Sequence, residues 1–447
     1  YDENVYEIIY KLKRYAESGI KNYTHSVDLW MKNSGLIIDC DEKKNALRNL
    51  FKNSKVAFIY GAAGTGKSTM INYISSLFKD KQKIFLANTN PAVENLRRKV
   101  TAEHAEFVTI TKFLSKDVSN DCDILCLDEC STISNRDMVR VLQRAQCKLL
   151  VLVGDIYQIE SILFGNWFNI AYKVMPKDSV AELTRPHRTT VQGLIEVWNK
   201  VREITEDRLE FITRNGLSST LDESIFSRTE EDEIVLCLNY DGIYGINNIN
   251  KFLQSNNVNP SINWGVLSYK VGDPVLFNES NRFAPLVYNN LKGKILQIEE
   301  EEDCIYFTIE VYTVLNELDV IGFDLELKES VTDETSVIRF KVGRGGDGND
   351  DNDNVENVVP FQVAYAISIH KAQGLEYESV KVVITSEIEE MVSHNIFYTA
   401  ITRAKSKLKI YWSPETEKRI LENMKVQFND KDYQLFKAKY KEALLKS

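Results

Sequence analysis

Apolar, strand-like runs alternate with stretches of helical spacing through the first half of the chain. The apolar residues at 56–60 predict a buried parallel strand, because a strand that is covered on both faces needs no polar alternation. Apolar runs recur at 83–88, 123–127 and 148–154, with helical spacing between them. This alternation is typical of a doubly wound α/β domain, to which we assign residues 37–228.

A second α/β alternation occupies the other half of the chain. Apolar strands are predicted at 233–238, 379–385 and 407–412. We therefore expect a second α/β domain that is built from two separated stretches, 229–268 and 356–447. Its last part is predicted to be a helical tail that packs back on this second domain.

Two segments lack this α/β pattern. Residues 269–355 contain short alternating strands with turn residues, followed by a stretch rich in Gly, Asp and Asn, which predicts an inserted small β-barrel and an acidic loop. At the start of the chain, residues 1–36 place Val5, Ile8 and Leu12 on one helical stripe. We interpret this start as a helical extension that docks on a core.

The loop after the first predicted strand carries a specific pattern, G-x-x-x-x-G-K-S. Its glycines let backbone N–H groups wrap around phosphates, and the following helix N-terminus adds favourable partial charge. Lys67 can reach the β- and γ-phosphates, and the Ser68 hydroxyl can ligate Mg²⁺. A glycine-rich turn is the alternative, but the flanking strand and helix favour a nucleoside triphosphate site. The predicted binding residues are Gly61, Ala62, Ala63, Gly64, Thr65, Gly66, Lys67, Ser68 and Thr69.

Polar side chains follow two further predicted strands. Asp128 and Glu129 come directly after a buried strand, and Gln158 follows the next one. Ligands of α/β domains bind at such strand ends. Asp128 suits Mg²⁺ ligation, Glu129 suits polarising the attacking water, and Gln158 suits sensing the γ-phosphate. An acid pair that only faces solvent is the alternative for Asp128 and Glu129.

The net charge of −10 does not exclude a nucleic-acid partner. Five acids lie at 299–303 and five more at 347–356, and without these ten the acids only match the 55 basic residues. A local basic groove is therefore allowed. No apolar run reaches the length of a membrane span, and the scattered cysteines fit a reducing cytoplasm. Because the chain begins with tyrosine, we expect that a preceding domain or a protein partner completes it.

Seven motifs in order resemble those of superfamily 1 helicases. The form AYAISIHKAQG at 364–374, together with the predicted small barrel, is similar to the 5′-to-3′ (1B) branch that contains RecD-like enzymes. The motifs are GAAGTGKST (61–69), NTNPAVENL (88–96), LDECS (127–131), VGDIYQI (153–159), LTRPHRT (183–189), SIHKAQGLEYESV (368–380) and YTAITRAK (398–405). The resemblance implies two RecA-like P-loop domains, with an SH3-like β-barrel inserted in the second. It also implies ATP and Mg²⁺ as cofactors.

The resemblance assigns roles to further residues. Arg188 and Arg403 are implied to reach the γ-phosphate of an ATP held between the two domains, which fits the need for a planar cationic donor. Gly374 and Glu376 are implied at the nucleotide, with Glu376 at the ribose. The implied contacts to single-stranded nucleic acid are Thr89, Asn90, Thr109, Thr111 and His370; a buried structural histidine is the alternative for His370.

Two aromatic segments remain open. Phe164, Trp167 and Phe168 could stack on bases, and burial in a domain interface is equally plausible. The segment YNNLKG at 288–293 matches the part of the barrel that flanks the strand in RecD-like enzymes, whereas the alternative is a hairpin turn.

Two departures from the family pattern affect the functional hypothesis. DEKK at 41–44 stands where a base-reading glutamine is usual, and only about a dozen residues separate Asn95 from Thr109, where relatives often insert a duplex-splitting pin. We expect an ATP-driven helicase or translocase on single-stranded nucleic acid, DNA rather than RNA, moving 5′ to 3′. The alternatives are a translocase that does not unwind and an ATP-gated binding subunit of a larger repair or defence complex.

Overall fold

The chain folds into two compact units, each with its own sheets. The computed structural model describes residues 2–62, 64–115, 120–158, 165–185, 189–278, 282–284, 286–330, 332–344, 357–424 and 430–440. The first unit comprises Tyr1–Phe211, Val392–Thr402 and Asn423–Ser447, and the second comprises Ile212–Met391 and Arg403–Glu422. These bounds differ from the predicted ones, because residues 212–228 join the second unit and two later segments join the first.

The first unit alternates strands and helices around one sheet. In chain order its elements are α1 (Asp2–Ala16), α2 (Tyr23–Asn33), α3 (Asp41–Asn49), β1 (Val56–Gly61), α4 (Lys67–Leu77), β2 (Lys83–Ala87), α5 (Asn90–Lys99), β3 (Ala105–Thr109), α6 (Ile110–Leu114), β4 (Asp121–Leu127), α7 (Asn135–Arg144), β5 (Gln146–Gly154), α8 (Trp167–Val174), β6 (Val180–Leu183), α9 (Gln192–Glu203) and α10 (Arg208–Arg214).

The sheet of the first unit is parallel, in the order β3-β2-β4-β5-β1-β6. All six residues of β1 are buried, which explains its unbroken apolar sequence. Phe58 belongs to the core on one face of the sheet, together with Ile8 from α1, and Ile59 belongs to the core on the other. Within the helical extension at the start of the chain, α1 therefore packs on one face of this sheet, and α2 packs on the other through Tyr23 and Val27.

The second unit holds most of the remaining elements. In chain order they are β7 (Ser218–Ser219), β8 (Glu233–Cys237), α11 (Ile246–Ser255), β9 (Ser261–Trp264), β10 (Leu267–Lys270), β11 (Pro274–Phe277), β12 (Lys292–Glu300), β13 (Cys304–Val311), β14 (Glu326–Lys328), β15 (Ser336–Gly343), β16 (Phe361–Val363), β17 (Ala366–Ser368), β18 (Tyr377–Val383), α12 (His394–Ile401), β19 (Ala404–Tyr411), α13 (Pro414–Asn423) and α14 (Asp430–Lys439). Of these, α12 and α14 lie in the first unit.

Two large sheets of different type build the second unit. One is parallel, in the order β17-β8-β18-β19-β7. The other is antiparallel, in the order β14-β15-β13-β12-β11-β16. Along β13 every second residue is buried, as expected for a strand with one face on a core. The alternating strands predicted within 269–355 thus form an antiparallel sheet.

The C-terminal tail was expected to pack on the second α/β domain, and this is wrong for its last helix. Phe436 of α14 joins the core that contains α1, and Tyr440 stacks on Tyr6 with ring centroids 4.5 Å apart. The two ends of the described chain therefore cover the same face of the first sheet. Among the helices of the described ranges, none has the length and apolar character needed to cross a bilayer.

Candidate nucleotide and nucleic-acid sites

The turn between β1 and α4 is held open by its glycines. Gly64 and Gly66 have φ values of 77° and 84°, a region that favours glycine because it lacks a Cβ. The buried Thr65 hydroxyl donates to the carbonyl of Ala62 at 3.0 Å. A Cβ on Gly61 would lie 2.4 Å from that hydroxyl oxygen. The loop can therefore keep this path only with glycine at these positions.

Lys67 points back along this loop. Its Nζ donates to the carbonyl oxygens of Gly61 and Ala62, each at 2.9 Å. Both acceptors are neutral, and an ammonium bonds more strongly to an anionic oxygen than to a neutral carbonyl. A phosphate bound in the loop would therefore be a better partner. Ser68 and Thr69 follow on the first turn of α4, both half-buried.

Asp128 and Glu129 lie at the carboxyl end of β4. The N–H of Glu129 donates to Asp128 Oδ1 at 2.9 Å. Burial raises the pKa of Asp128, and this N–H bond and the Lys67 charge oppose that rise. The charges of Lys67 and Lys99 thus favour the ionised form of Asp128.

Glu129 adopts a left-handed backbone, with φ of 52°. Such a conformation costs a non-glycine residue about 1–3 kcal/mol and is concentrated at functional sites. Its carbonyl accepts both the N–H and the hydroxyl of Thr132, each at 2.9 Å. These two bonds hold the strained turn that follows Asp128.

Gln158 extends the same site from the neighbouring strand. It follows β5, is 9% exposed, and its N–H donates to the carbonyl of Asp155 at 3.4 Å. The order β4-β5-β1 places the three strand ends side by side, with Gly154 opposite Tyr60 and Leu152 opposite Leu127. The predicted residues Lys67, Asp128, Glu129 and Gln158 are therefore brought together at one edge of the sheet.

The predicted nucleic-acid contacts of the first unit lie at the ends of β2 and β3. Thr89 and Thr109 cap helices, accepting from Ala92 N at 3.4 Å and from Lys112 N at 3.2 Å. Ala87 and Thr109 are partners in the parallel register of the two strands, so both caps lie on one edge. Thr89, Asn90 and Thr111 are exposed and Thr109 is half-buried, which leaves them available to a ligand.

The base-stacking role considered for Phe168 is wrong for this structure. Its side chain is fully buried and its ring lies 4.6 Å from that of Tyr60. Trp167 is equally buried, with its indole N–H donating to the carbonyl of Ile133 at 2.9 Å. Both rings fill the core because α8 packs its apolar face on the sheet. Phe164 lies outside the described residues.

The candidates of the second unit flank β17, β18 and β19. His370 is exposed, which excludes the buried structural histidine considered as its alternative. Gly374 has φ of 80°, a conformation that suits glycine, and Glu376 is half-buried. Arg403 is 3% exposed and its Nη1 donates to the carbonyl of Leu375 at 3.2 Å. The segments that follow β17 and precede β19 are thus joined by Arg403.

Comparisons with known proteins agree with these motifs. The model of an AAA domain matches residues 40–222, and that of a UvrD-like helicase C-terminal domain matches residues 363–411. The RecD subunit of the RecBCD enzyme of Buchnera aphidicola is 23% identical over 87% of this chain and 78% of that protein. The chain is similar to RecD-like enzymes of superfamily 1.

Two further proteins that resemble this chain differ in length. An uncharacterized protein of Methanocaldococcus jannaschii is 24% identical over 82% of the chain, which spans only 37% of that protein. A solved Pif1 helicase from Bacteroides, in complex with ADP-AlF3 and single-stranded DNA, aligns with 91% of this chain and 98% of its own, at 16% identity and a TM-score of 0.53. This structural likeness supports a RecA-like P-loop fold.

Lys43 lies beside the phosphate loop, and no motif in the sequence assigns it a role. It lies on α3, within the segment 41–44 where a glutamine was expected, and its side chain is fully buried. Its Nζ is 2.5 Å from Asp39 Oδ2 and occupies the space where Gly66 would carry a Cβ. The missing glutamine was the only signal in the sequence. The predicted residues Ala63 and Arg188 lie outside the described part of the chain.

Proposed function

We propose that this chain is an ATP-dependent helicase that moves 5′ to 3′ along single-stranded DNA. The observation that carries the proposal is the convergence of Lys67, Asp128, Glu129 and Gln158 on one sheet edge, beside a glycine loop shaped for phosphates. Single-stranded DNA is the ligand in the structure of the Bacteroides relative, and this supports the strand as partner. The comparisons favour a helicase over the non-unwinding translocase and the recruitment subunit.

The loop residues bind the triphosphate in this proposal. Backbone N–H groups of 61–69 and the start of α4 surround the phosphates, and Lys67 exchanges its two carbonyl partners for the terminal phosphates. Glu129 accepts the proton of the attacking water, while Gln158 contacts the γ-phosphate. Arg188 and Arg403 stabilise the charge of the transferred phosphoryl group.

The residues present fit a bound Mg²⁺. The hydroxyl of Ser68 and the carboxylate of Asp128 are the hard oxygen ligands that this ion prefers. The raised pKa of Asp128 is consistent with a carboxylate whose burial is compensated when a cation binds. When bound, the ion neutralises charge on the phosphates.

Strand binding is assigned to two groups of residues. Thr89, Asn90, Thr109 and Thr111 contact the strand in the first unit, and His370 contacts it in the second. ATP binding and hydrolysis then change the two grips in alternation and move the strand. In this proposal the two parallel sheets are RecA-like domains, the antiparallel sheet is an SH3-like barrel, and the protein works in the cytoplasm with a further domain or protein partner.

The first test measures ATPase activity with and without single-stranded DNA. Lys67→Ala and Glu129→Gln should each lower the stimulated rate by about 10²- to 10⁴-fold, the usual contribution of a general base, while DNA binding persists. Glu302→Gln changes an exposed glutamate of the second unit and should leave the rate unchanged. Full turnover by Glu129→Gln would remove this residue from the catalytic role.

The second test separates strand type and direction. The wild-type rate is compared with DNA and RNA, and unwinding is compared on 5′-tailed and 3′-tailed duplexes. The connection between α5 and β3 spans only residues 100–104, so a streptavidin-displacement assay is run beside unwinding. Displacement from the 3′ end without strand separation would support a translocase instead of a helicase.

A further inference from the structure

Lys292 joins the antiparallel sheet to the segment that precedes β18. It is the first residue of β12, and its Nζ donates to Asp232 Oδ1 at 2.6 Å and to the carbonyl of Glu376 at 3.3 Å. The same ammonium lies 4.1 Å from the ring centroid of Tyr377 and 5.2 Å from that of Tyr312. The cation is therefore held by a carboxylate, a carbonyl and two aromatic rings.

This arrangement is more enclosed than an ordinary surface ion pair. The side chains of Lys292 and Asp232 are only 20% and 28% exposed, and burial lowers the pKa of Lys292. Two residues along the same strand, Lys294 pairs with Glu231, whose side chain is 75% exposed. An enclosed charged pair gains its stability only when further hydrogen bonds satisfy both ions, and Lys292 has them.

The segment 375–378, which Lys292 contacts, also contacts Arg403. Arg403 Nη1 donates to the carbonyl of Leu375, next to the carbonyl that Lys292 binds. The N–H of Tyr377 donates to the carbonyl of Arg403 at 3.0 Å. Asp232 accepts the N–H of Glu378 at 3.1 Å with its Oδ2, so one carboxylate links Lys292 to the backbone that follows.

We propose that Lys292 is a positioning residue, through which the antiparallel sheet fixes residues 375–378 and thereby the guanidinium of Arg403. This inference rests on the proposed role of Arg403 at the terminal phosphate. An apolar side chain at 292 could fill the space between the two tyrosine rings, but it could not bind the carbonyl of Glu376 or balance Asp232. The segment would then lose one of the two cations that anchor its carbonyls.

The experiment compares Lys292→Met with Lys294→Met, which removes a lysine of the same strand from an exposed pair. Lys292→Met should lower the DNA-stimulated ATPase rate by about tenfold to a hundredfold, the effect of a small misplacement of a catalytic group, with the affinity for fluorescent ADP unchanged. Lys294→Met should stay within about twofold of wild type. Equal rates for the two variants would overturn the proposal.

A double-mutant cycle distinguishes positioning from general damage. If Lys292 acts through Arg403, Lys292→Met should add no further loss to Arg403→Ala, because residues that act as one unit are not additive. The variant that combines Lys292→Met with Asp232→Asn leaves no uncompensated carboxylate and should keep the low rate of Lys292→Met. Additive losses in the cycle, or a normal rate in this combined variant, would contradict the proposal.

Amide hydrogen exchange tests the same contact without using activity. In Lys292→Met the N–H groups of 377–379 should exchange faster than in wild type, and in Lys294→Met they should not. Unchanged protection in Lys292→Met would refute the positioning role even in an active enzyme. The two proposals can also fail separately. If DNA does not stimulate the wild-type ATPase but Lys292→Met still loses protection at 377–379, the proposed function is wrong and the contact made by Lys292 is confirmed.

Discussion

Two independent features of the structure disfavour any side chain at Gly66. The φ of 84° disfavours any side chain, and a Cβ would lie 2.4 Å from Lys43 Nζ. Gly66→Ala should therefore strain the phosphate loop, displace the buried lysine and lower ADP affinity by about tenfold or more, since about 1.4 kcal/mol of strain corresponds to tenfold in binding. Titration with a fluorescent ADP measures this effect.

Gly193→Ala is the matched control for that substitution. Gly193 lies on α9, and among the described residues no heavy atom beyond its chain neighbours and its own helix backbone lies within 4 Å of where its Cβ would be. Alanine in a helix is about 0.5–1 kcal/mol more stable than glycine, so this variant should unfold at a slightly higher temperature and bind ADP normally. Normal ADP binding by Gly66→Ala would show that the loop tolerates a side chain.

At the residue level, the backbone follows the sequence pattern where a short motif determines it, and burial departs from the prediction where packing decides. The glycines of the motif at 61–68 determine the path of the loop. Asp128 follows a strand whose end lies at the edge of the sheet. In contrast, Phe168 is buried because its ring fills the space beside Gly154, where a Cβ would be 2.7 Å away. No local pattern shows which distant glycine an aromatic ring will face.

Helix α12 shows at the element scale why chain order and spatial order differ. It lies between β18 and β19 in sequence but packs in the first unit. His394 Nε2 is 2.8 Å from the carbonyl of Val201 on α9, and Trp198 donates its indole N–H to the carbonyl of Ile401 at 3.0 Å. The strands could be predicted from local apolar runs, whereas this exchange depends on contacts between residues about 200 apart.

The same helix predicts a pH dependence. Burial lowers the pKa of His394, although bonds to Val201 and Asn395 and the Asp155 charge oppose this, and Arg208 adds to it. Because the folded pKa is depressed, the stabilisation is complete above the unfolded value of about 6.5 and is lost as pH falls through the folded pKa. The melting temperature should therefore fall from pH 7.5 to pH 5.5. The free energy of unfolding should drop by at most about 1.4 kcal/mol per pH unit.

His394→Gln should flatten this dependence, because glutamine keeps an N–H donor and does not titrate. The control is His25→Gln on α2, where the histidine is exposed, and it should keep the wild-type slope. Thermal unfolding at several pH values gives both curves. A His394→Gln protein with the wild-type slope would mean that other groups cause the loss of stability in acid.

At the scale of the whole molecule, the charge argument from sequence took no account of ion pairing. Part of the acidic run at 299–303 is neutralised within the antiparallel sheet, where Glu299 lies 2.6 Å from Arg339 and Glu300 lies 2.9 Å from Arg344. If these two acids are left out of the net charge, their two arginine partners must be left out as well, and these arginines do not contribute to a basic groove. Sequence counts cannot assign such partners, because the strand register that brings them together is not a local property.

Two separate cores predict that the chain unfolds in two steps. The first unit is built around residues such as Phe58, and the second around residues such as Ile309, and proteins with several compact units commonly depart from two-state unfolding. Ile309→Ala should lower only one transition, by about 2–5 kcal/mol, and so identifies the transition of the second unit in calorimetry.

A non-hydrolysable ATP analogue with Mg²⁺ should then raise both transitions of the wild-type protein. In the proposed function, Lys67 binds the phosphates from the first unit and Arg403 contributes from the second, so unfolding of either unit would release the ligand. At about 100 times the Kd the shift corresponds to about 2.7 kcal/mol. In Arg403→Ala the analogue should still raise the temperature of the first transition but should no longer raise that of the second. If the second transition does not move in wild type either, Arg403 does not bind the nucleotide, and the arginine must be sought elsewhere.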